Sequence, residues 1–95
     1  MTVTVEHHTE QNMFSATLDG QDAGRLVYTP HKSRSEWVAY STSVSPMFEG
    51  RGVGSALTLA AVEAAQAQQV KIVPTCWFVA GWLDRHSEFA DVRKY

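Results

Sequence analysis

The sequence predicts an α/β domain of the α+β type, with a mixed sheet and the element order ββββαβα. Three observations lead to this fold class. Several short runs within residues 3–44 alternate apolar and polar side chains with a period of two, which is typical of strands, whereas residues 53–68 repeat apolar side chains with the period of a helix. A glycine-rich turn at residues 50–54 separates the two patterns. An antiparallel N-terminal meander followed by a parallel crossover accounts for this order.

The first predicted strands form a hairpin. Apolar residues alternate with threonines at residues 3–5, and the same alternation returns at residues 13–18. Asp19 and Gly20 follow at once, and Asp-Gly is a strong hairpin signal because both positions of such a turn take positive φ. The turn therefore joins residues 13–18 to a strand at about residues 23–28.

A fourth strand is predicted at residues 36–44. The polar run at residues 29–35, which contains Pro30, is interpreted as a longer connection before it. Strict alternation along residues 36–44 places Trp37 and Ala39 on one face of the sheet. The other face is then expected to carry Val38, Tyr40, Thr42 and Val44.

The second half of the sequence predicts a crossover unit. Residues 53–68 are rich in alanine and predict a helix, and the short apolar run at residues 71–73 predicts a strand that Pro74 ends. A right-handed crossover places residues 71–73 parallel to residues 36–44. A second helix is predicted from side chains at spacings of four, seven and eleven residues, namely Phe78, Trp82, Arg85 and Phe89.

The glycine-rich turn is a candidate phosphate site because it runs directly into a helix. Glycines at 50, 52 and 54 allow backbone conformations closed to other residues and let an anion approach the amides. A P-loop is excluded, since no lysine occurs between Lys32 and Lys71, and a dinucleotide fingerprint is excluded because Ser55 replaces its third glycine. The remaining Gly-x-Gly pattern is also compatible with a purely structural turn.

Composition excludes several other classes of protein. Ninety-five residues predict one domain, residues 1–95, and a formal charge of −2 predicts no nucleic-acid partner. No apolar run reaches the ~20 residues of a membrane span, and no signal peptide is recognisable, so a cytoplasmic protein is expected. Cys76 is the only cysteine, and His7 and His8 point to opposite faces of a strand. No disulfide and no metal site is therefore predicted.

Several motifs in their observed order resemble one family. The chain is similar to the small single-domain GCN5-related N-acetyltransferases of the YjdJ-like type. The resemblance covers residues 44–92, and the hairpin that ends at residues 26–28 fits the same family. It rests on Thr42-x-Val44, Pro46, Gly50-Arg51-Gly52-Val53-Gly54, the alanine-rich helix, Val73-Pro74-Thr75-Cys76 and Arg85-His86-x-Glu88-Phe89.

The resemblance implies a function and a set of binding residues. It implies transfer of an acetyl group from acetyl-CoA, as co-substrate, to an amine of a small molecule or peptide, by a monomer or weak dimer without a metal. Backbone groups near Thr42 and Val44 would hold the pantetheine arm. The pyrophosphate would lie on Glu49, Gly50, Arg51, Gly52, Val53, Gly54 and Ser55. A non-catalytic CoA-binding or acyl-CoA-binding module, or a protein-interaction domain on the same scaffold, is the alternative.

Several positions depart from the family pattern, and three of them bear on the chemistry. Ser41 stands where the family commonly has histidine, and Ser43 stands where it has an acidic residue, so no base is expected on that strand. Glu49 stands where the family often has arginine, which implies that backbone amides and Arg51 hold the phosphates. The resemblance leaves the acceptor amine undefined.

Two residues are candidates for catalysis. Cys76 lies between a predicted strand and a predicted helix, where a partial positive charge favours the thiolate, so it is either a nucleophile, a residue lining the thioester pocket or a buried apolar residue. His86 is the one histidine inside a family motif and either accepts the amine proton or caps a helix. Trp77, Phe78 and Trp82 either line the pantetheine channel or pack in the core.

Overall fold

The computed structural model describes residues 3–95, which form a five-stranded mixed sheet and two α-helices. The predicted fold class and element order are confirmed. The strands are β1 (Val3–His8), β2 (Met13–Leu18), β3 (Gln21–His31), β4 (Glu36–Val44) and β5 (Lys71–Pro74), and the helices are α1 (Val53–Gln68) and α2 (Trp77–Arg85). Short 3₁₀ segments occupy Lys32–Arg34, Pro46–Phe48 and Ser87–Val92.

The sheet has the strand order β1-β2-β3-β4-β5. Strands β1 to β4 pair antiparallel, and β5 pairs parallel to β4. The β2–β3 hairpin turns at Asp19 and Gly20, whose φ angles of 51° and 80° are the positive values that a two-residue turn requires. Both the hairpin and the parallel crossover are therefore confirmed.

Strand β3 is longer than the sequence predicts and includes Pro30, which was expected in the connection. The ladder between β2 and β3 ends at Met13 and Val27, whereas β3 continues to pair with β4 as far as His31. A proline is tolerated at such a position because its missing N–H can face the side that lacks a strand partner. Only the Lys32–Arg34 turn and Ser35 remain as the connection.

A β-bulge in β4 changes the face on which its second half lies. Val27 pairs with Ser41 but Tyr28 pairs with Ala39, so Tyr40 is an extra residue on β4. Beyond the bulge, Thr42 and Val44 return to the face that carries Trp37 and Ala39, as shown by the pairing of Thr42 with buried Leu26. The expectation of two different faces for these residues was wrong, because strict alternation does not survive one inserted residue.

The core lies between one face of the sheet and α1, which contacts all five strands. Apolar side chains of β2 and β3 on this face are almost fully buried, among them Phe14, Leu18 and Leu26 at 1% exposure each. The face that carries Met13, Ser15 and Thr17 is only partly covered. Helix α2 packs on β4 and β5. The larger buried residues of the helices and β5 are Val53, Leu57, Val62, Ile72, Val79, Trp82 and Leu83.

Helix α2 ends at Arg85 and does not continue to Phe89, so that prediction was wrong. The His86 backbone has φ −128° and ψ 70°, outside the helical region, and the chain continues as a 3₁₀ segment. Phe89 nevertheless stacks on Trp82, with ring centroids 5.6 Å apart. The aromatic row predicted for one helix is thus assembled by two segments.

The C-terminal segment closes the sheet edge next to β5. Arg93 forms a bridge with Ile72, and the Lys94 amide donates a hydrogen bond to the Ile72 carbonyl at 2.9 Å. The Lys94 Nζ lies 2.7 Å from Oε2 of Glu36, which is only 3% exposed. Oε2 has no hydrogen bond of regular geometry among residues 3–95, so the contact is a charge pair of imperfect alignment. The close contact with the Glu36 carboxylate and its negative charge raise the pKa of Lys94.

Candidate functional site

The glycine-rich turn places two of its three glycines in the left-handed region. Gly50 has φ 79° and Gly52 has φ 80°, and both have open space where a Cβ would lie. Gly54 is different, because it lies inside α1 without a positive φ. A Cβ there would lie 2.6 Å from the Phe78 ring. The expectation that all three glycines serve backbone conformation was therefore wrong for Gly54, which is small to let α2 approach α1.

The first turn of α1 has no side chain of its own that caps its amides or neutralises the positive end of the helix dipole. Gly52 caps the helix without a side-chain hydrogen bond, and the first turn contains no acidic residue. The first intrahelical bond in this region runs from the Ala56 amide to the Gly52 carbonyl at 3.0 Å. The amides of residues 53–55 therefore lack helical acceptors, and together with the helix dipole they favour an anion.

A cavity of about 460 Å³ opens between the N-terminal ends of the two helices and the second half of β4. Its wall combines residues of the glycine-rich turn and the first residues of α1 with the aromatic residues Phe48 and Phe78. Trp77 stands at its rim with 83% of its surface exposed. The full lining is Thr42, Val44, Phe48, Glu49, Gly50, Gly52, Val53, Gly54, Ser55, Trp77 and Phe78.

This cavity brings together eight of the nine residues that the sequence predicts for cofactor binding. Arg51 is the ninth and does not line the cavity. Phe48 also lines the cavity and is not among the predicted residues, although a large apolar side chain shortly before the turn is a signal for it. Of the three aromatic residues with two interpretations, Trp77 and Phe78 line the cavity, whereas Trp82 is buried in the core at 3% exposure.

Cys76 is the residue that precedes α2, and it lies just behind the cavity wall. Its Sγ is 3.6 Å from Oγ1 of Thr42, which lines the cavity, and the residue is 7% exposed. Burial raises the pKa of the thiol. The Val79 and Phe78 amides and the Thr42 hydroxyl more than offset this effect, so the pKa falls below its usual value. Cys76 is the N-cap of α2, and hydrogen bonds from amides at the start of a helix favour the thiolate.

His86 lies at the opposite end of α2 from Cys76. Its ring stacks on Trp82 at a centroid distance of 3.8 Å, and its Nδ1 lies 2.7 Å from the Trp82 carbonyl oxygen. The nine-residue helix between the two candidates is about 13 Å long at 1.5 Å per residue. His86 is not part of the cavity lining.

The two neighbouring histidines of β1 point to opposite faces, as predicted. His7 Nε2 is 2.7 Å from the Tyr28 hydroxyl, whereas His8 Nε2 is 2.7 Å from Ser15 Oγ on the other face. Within residues 3–95, no three His, Cys, Asp or Glu side chains are grouped as metal ligands. No helix in the described part of the chain is long and apolar enough to span a membrane.

Comparison with known proteins identifies the family. A family model described as GCN5-related N-acetyl-transferase matches residues 13–92. The chain belongs to the GCN5-related N-acetyltransferase family. The resemblance noted in the sequence is thus confirmed at the level of this family, while the YjdJ-like subtype stays a prediction. Acyl transfer is the chemistry of GCN5-related N-acetyltransferases, and the cavity described above is its candidate site.

Solved structures of other GCN5-related N-acetyltransferases have the same fold. A GCN5-like putative N-acetyltransferase from Staphylococcus aureus is 25% identical, with a TM-score of 0.73 and coverage of 96% of this chain and 87% of its own. The ribosomal-protein-S18-alanine N-acetyltransferase from Escherichia coli is 15% identical, with a TM-score of 0.66 and coverage of 84% and 54%.

A third neighbour was solved with ligands. N-acetylglutamate synthase from Neisseria gonorrhoeae, complexed with coenzyme A and N-acetyl-glutamate, is 14% identical, with a TM-score of 0.61. The alignment covers 88% of this chain but only 22% of that protein, so the shared part is the fold alone. No curated protein matched the sequence.

Proposed function

We propose that the protein is an N-acetyltransferase that uses acetyl-CoA to acetylate an amine of a small molecule or peptide. The observation that carries this proposal is the first turn of α1, where the amides of residues 53–55 face a cavity without a capping side chain or an acidic neighbour. In a family whose chemistry is acyl transfer, such an end is suited to the pyrophosphate of coenzyme A.

The other walls of the cavity fit the rest of acetyl-CoA. The ladder between β4 and β5 stops at Ala39 and Pro74, so the edge of residues 40–44 has no strand partner on the β5 side. An extended pantetheine arm can pair with this edge while its methylene groups lie against Phe48 and Phe78. Glu49 adds a negative charge to the lining, which supports binding of the phosphates by amides and not by this side chain.

The chain's own groups supply positioning and charge stabilisation for the transfer. Attack of a neutral amine on the thioester carbonyl places negative charge on oxygen, and amides along β4 or at the start of α2 can donate to it. Ser41 and Ser43 offer no base on β4. We propose that the amine proton leaves to solvent through the open side of the cavity.

A covalent route through Cys76 is a second way to reach the same product. The Cys76 thiolate would attack the acetyl carbonyl and expel the CoA thiolate, and the amine would then attack the acetylated cysteine, lose its proton and regenerate the thiolate. The lowered pKa of Cys76 and its contact with Thr42 support this route. The burial of Cys76 supports the competing interpretation, a residue that packs behind the thioester.

Ser55 provides a test of phosphate binding that separates affinity from stability. Its side chain is exposed on the first turn of α1, so Ser55→Glu adds a negative charge that stabilises the helix by about 0.3–1 kcal/mol. The same charge repels a phosphate. We expect Ser55→Glu to raise the melting temperature but weaken acetyl-CoA binding at least about tenfold, as measured by calorimetry. The matched Ser55→Lys variant is expected to lower the melting temperature and to strengthen acetyl-CoA binding.

Three results would contradict the proposal. Unchanged acetyl-CoA affinity in Ser55→Glu would mean that the turn is structural only. Acetyl-CoA binding without release of CoA in the presence of any amine, peptide or polyamine would favour the non-catalytic CoA-binding module. A parent protein that neither binds acetyl-CoA nor transfers its acetyl group would favour a protein-interaction domain on the same scaffold.

Cys76→Ala and Cys76→Ser distinguish the two routes. If the cysteine is acetylated, both variants are expected to lose at least about a hundredfold in kcat while they still bind acetyl-CoA, because the first acyl acceptor is missing. Mass spectrometry of the parent, mixed with acetyl-CoA but no amine, would then detect an acetylated Cys76. Transfer by Cys76→Ala at the parent rate would instead establish direct attack by the amine.

We further propose that residues 1–95 act as one acetyltransferase domain, as a cytoplasmic monomer or weak dimer. The coverage of 87% of the Staphylococcus aureus protein supports one domain. Sedimentation at several protein concentrations would measure the oligomeric state.

A further inference from the structure

The face of the sheet opposite α1 carries a row of polar side chains. Ser15 of β2 pairs with Arg25 of β3, and Arg25 pairs with Ser43 of β4. Directly paired residues project to the same side of a sheet, so these three side chains stand next to one another across the strands. Arg25 and Ser43 are exposed, and Ser15 is partly buried. The guanidinium is thus flanked on both neighbouring strands by a hydroxyl.

A second bulge places an acidic side chain on the same face. Ala16 pairs with Gly24 but Thr17 pairs with Asp22, so Ala23 is an extra residue on β3. Without it, Asp22 and Arg25, three residues apart, would point to opposite faces. With it, both project to the face of Ser15, and the exposed Asp22 is the next residue on this face along β3 from Arg25, paired with Thr17.

These residues line a groove of about 260 Å³, whose walls are Met13, Ser15, Asp22, Gly24, Arg25, Ser43, Val44 and Ser45. Val44 also lines the proposed acetyl-CoA cavity. Val44 thus borders both spaces at the end of β4, where the strand has no ladder partner on the β5 side beyond Ala39. Asp22 and Arg25 lie on either side of this point, since Gly24, between them in sequence, is the residue that pairs with Val44.

Neither charged side chain of the groove is neutralised within the described chain. The salt bridges among residues 3–95 are Arg93 with Asp84 and Lys94 with Glu36, so Asp22 and Arg25 have no ionic partner there. Ser15 is held by His8, with 2.7 Å between Oγ and Nε2. When His8 donates this hydrogen bond, the Ser15 hydroxyl proton is free for a ligand beside Arg25.

We propose that this groove is the acceptor site and that the acceptor is a small amine that also carries a carboxylate. The proposal rests on the proposed acetyltransferase function. Arg25, with Ser43 and Ser15, binds the carboxylate, and Asp22 attracts the ammonium group. After loss of its proton, the amine attacks the acetyl carbonyl at the edge of β4 that lacks a strand partner.

Size and charge exclude other acceptors from this groove. Its volume is below the ~300–1,000 Å³ of pockets that take drug-sized ligands, which favours a small molecule over a folded protein segment. Arg25 repels a second cationic group, so polyamines are poor acceptors. A simple alkylamine leaves the Arg25 guanidinium without an anion and loses the bidentate contact.

The test compares a series of aminocarboxylates, from glycine to 5-aminopentanoate, with the alkylamines that lack the acid group, and with spermidine. For at least one chain length, kcat/KM is expected to exceed that of the matched alkylamine at least about tenfold. Arg25→Ala is expected to abolish this preference, mainly through KM, and Arg25→Lys to keep part of it. The control is Arg34→Ala, an exposed arginine that lines neither space, which is expected to keep the preference.

Acetyl-CoA binding, measured on every variant by calorimetry, separates the two proposals. If acetyl-CoA binds and alkylamines or spermidine are preferred, or if the preference survives Arg25→Ala, the groove proposal is overturned while the proposed function stands. If acetyl-CoA does not bind, the proposed function fails. An NMR titration of the isotopically labelled protein with the same aminocarboxylates then tests whether the groove binds them. The amide signals of Arg25 and Ser43 must shift in the parent and not in Arg25→Ala.

Discussion

At the scale of single residues, the glycines of one motif are required for different structural reasons. Gly50 and Gly52 take positive φ, whereas Gly54 is a helical residue that makes room for the Phe78 ring. The sequence shows only their spacing, and the reason for Gly54 lies in a contact between two helices. Substitutions at these positions therefore act by different mechanisms.

Gly54→Ala tests whether the Phe78 ring requires glycine at this position, because the effect of the substitution on stability should change sign when the ring is removed. Helix propensity alone predicts a gain of up to ~1 kcal/mol, but the new Cβ meets the Phe78 ring at 2.6 Å, and overpacking costs about 1–3 kcal/mol. We expect Gly54→Ala to destabilise the protein by about 1 kcal/mol in urea unfolding. In a Phe78→Ala background, the same change is expected to be stabilising. A stabilising effect in both backgrounds would contradict the contact.

At the scale of elements, the end of α2 depends on one aromatic stack. The side-chain spacing predicts a helix that continues to Phe89, yet the chain leaves the helical conformation at His86. His86 stacks on Trp82 and contacts its carbonyl, which terminates the helix. Spacing alone does not reveal this, because Phe89 reaches Trp82 by either path.

His86→Ala separates a structural role from a catalytic one. Loss of the stack and of the contact with the Trp82 carbonyl is expected to reduce the free energy of unfolding by about 1–2 kcal/mol. Because His86 lies at the far end of α2 from the cavity, kcat and its pH profile are expected to stay unchanged. A large fall in kcat in a variant that remains folded and binds acetyl-CoA would support His86 as the proton acceptor.

At the scale of the whole molecule, local sequence patterns predict much of the fold. The features that depend on long-range contacts could not be predicted from them. The Asp19-Gly20 hairpin, α1 and the parallel β5 follow from turn chemistry, periodicity and the handedness of crossovers. The bulges at Ala23 and Tyr40 leave no local signal, and they decide which side chains reach the groove and the cavity. The ion pair between the buried Glu36 and Lys94 joins residues that are far apart in the sequence, so no local pattern reveals it.

The stability of the fold is expected to depend on pH through His7. Burial lowers the pKa of His7 from its usual 6.5, and the neighbouring His8 adds to this effect. A lowered folded-state pKa means that the unfolded chain binds the proton first, so stability falls as pH drops below about 6.5 and levels off below the folded-state pKa. Thermal melts from pH 7.5 to 5 would measure this loss.

His7→Phe provides the matching variant for these melts. It keeps a ring stacked on Phe14, now 4.0 Å from His7, but removes the titrating group and the contact with the Tyr28 hydroxyl. We expect a lower melting temperature at pH 7.5 and a shallower decline towards pH 5. The exposed His31, changed to Gln, is the control that should keep the parent slope. An equally steep decline in His7→Phe would assign the titration to another group.

The convergence of both helix N-termini on one cavity has a consequence for the speed of binding. The chain carries a formal charge of −2, which by itself repels a polyanion such as coenzyme A. Gly54 and Phe78 touch, however, so the positive ends of α1 and α2 lie side by side and concentrate positive potential at the mouth of the cavity. Electrostatic steering therefore acts locally against the net charge, and added salt should slow capture of the cofactor more than its escape.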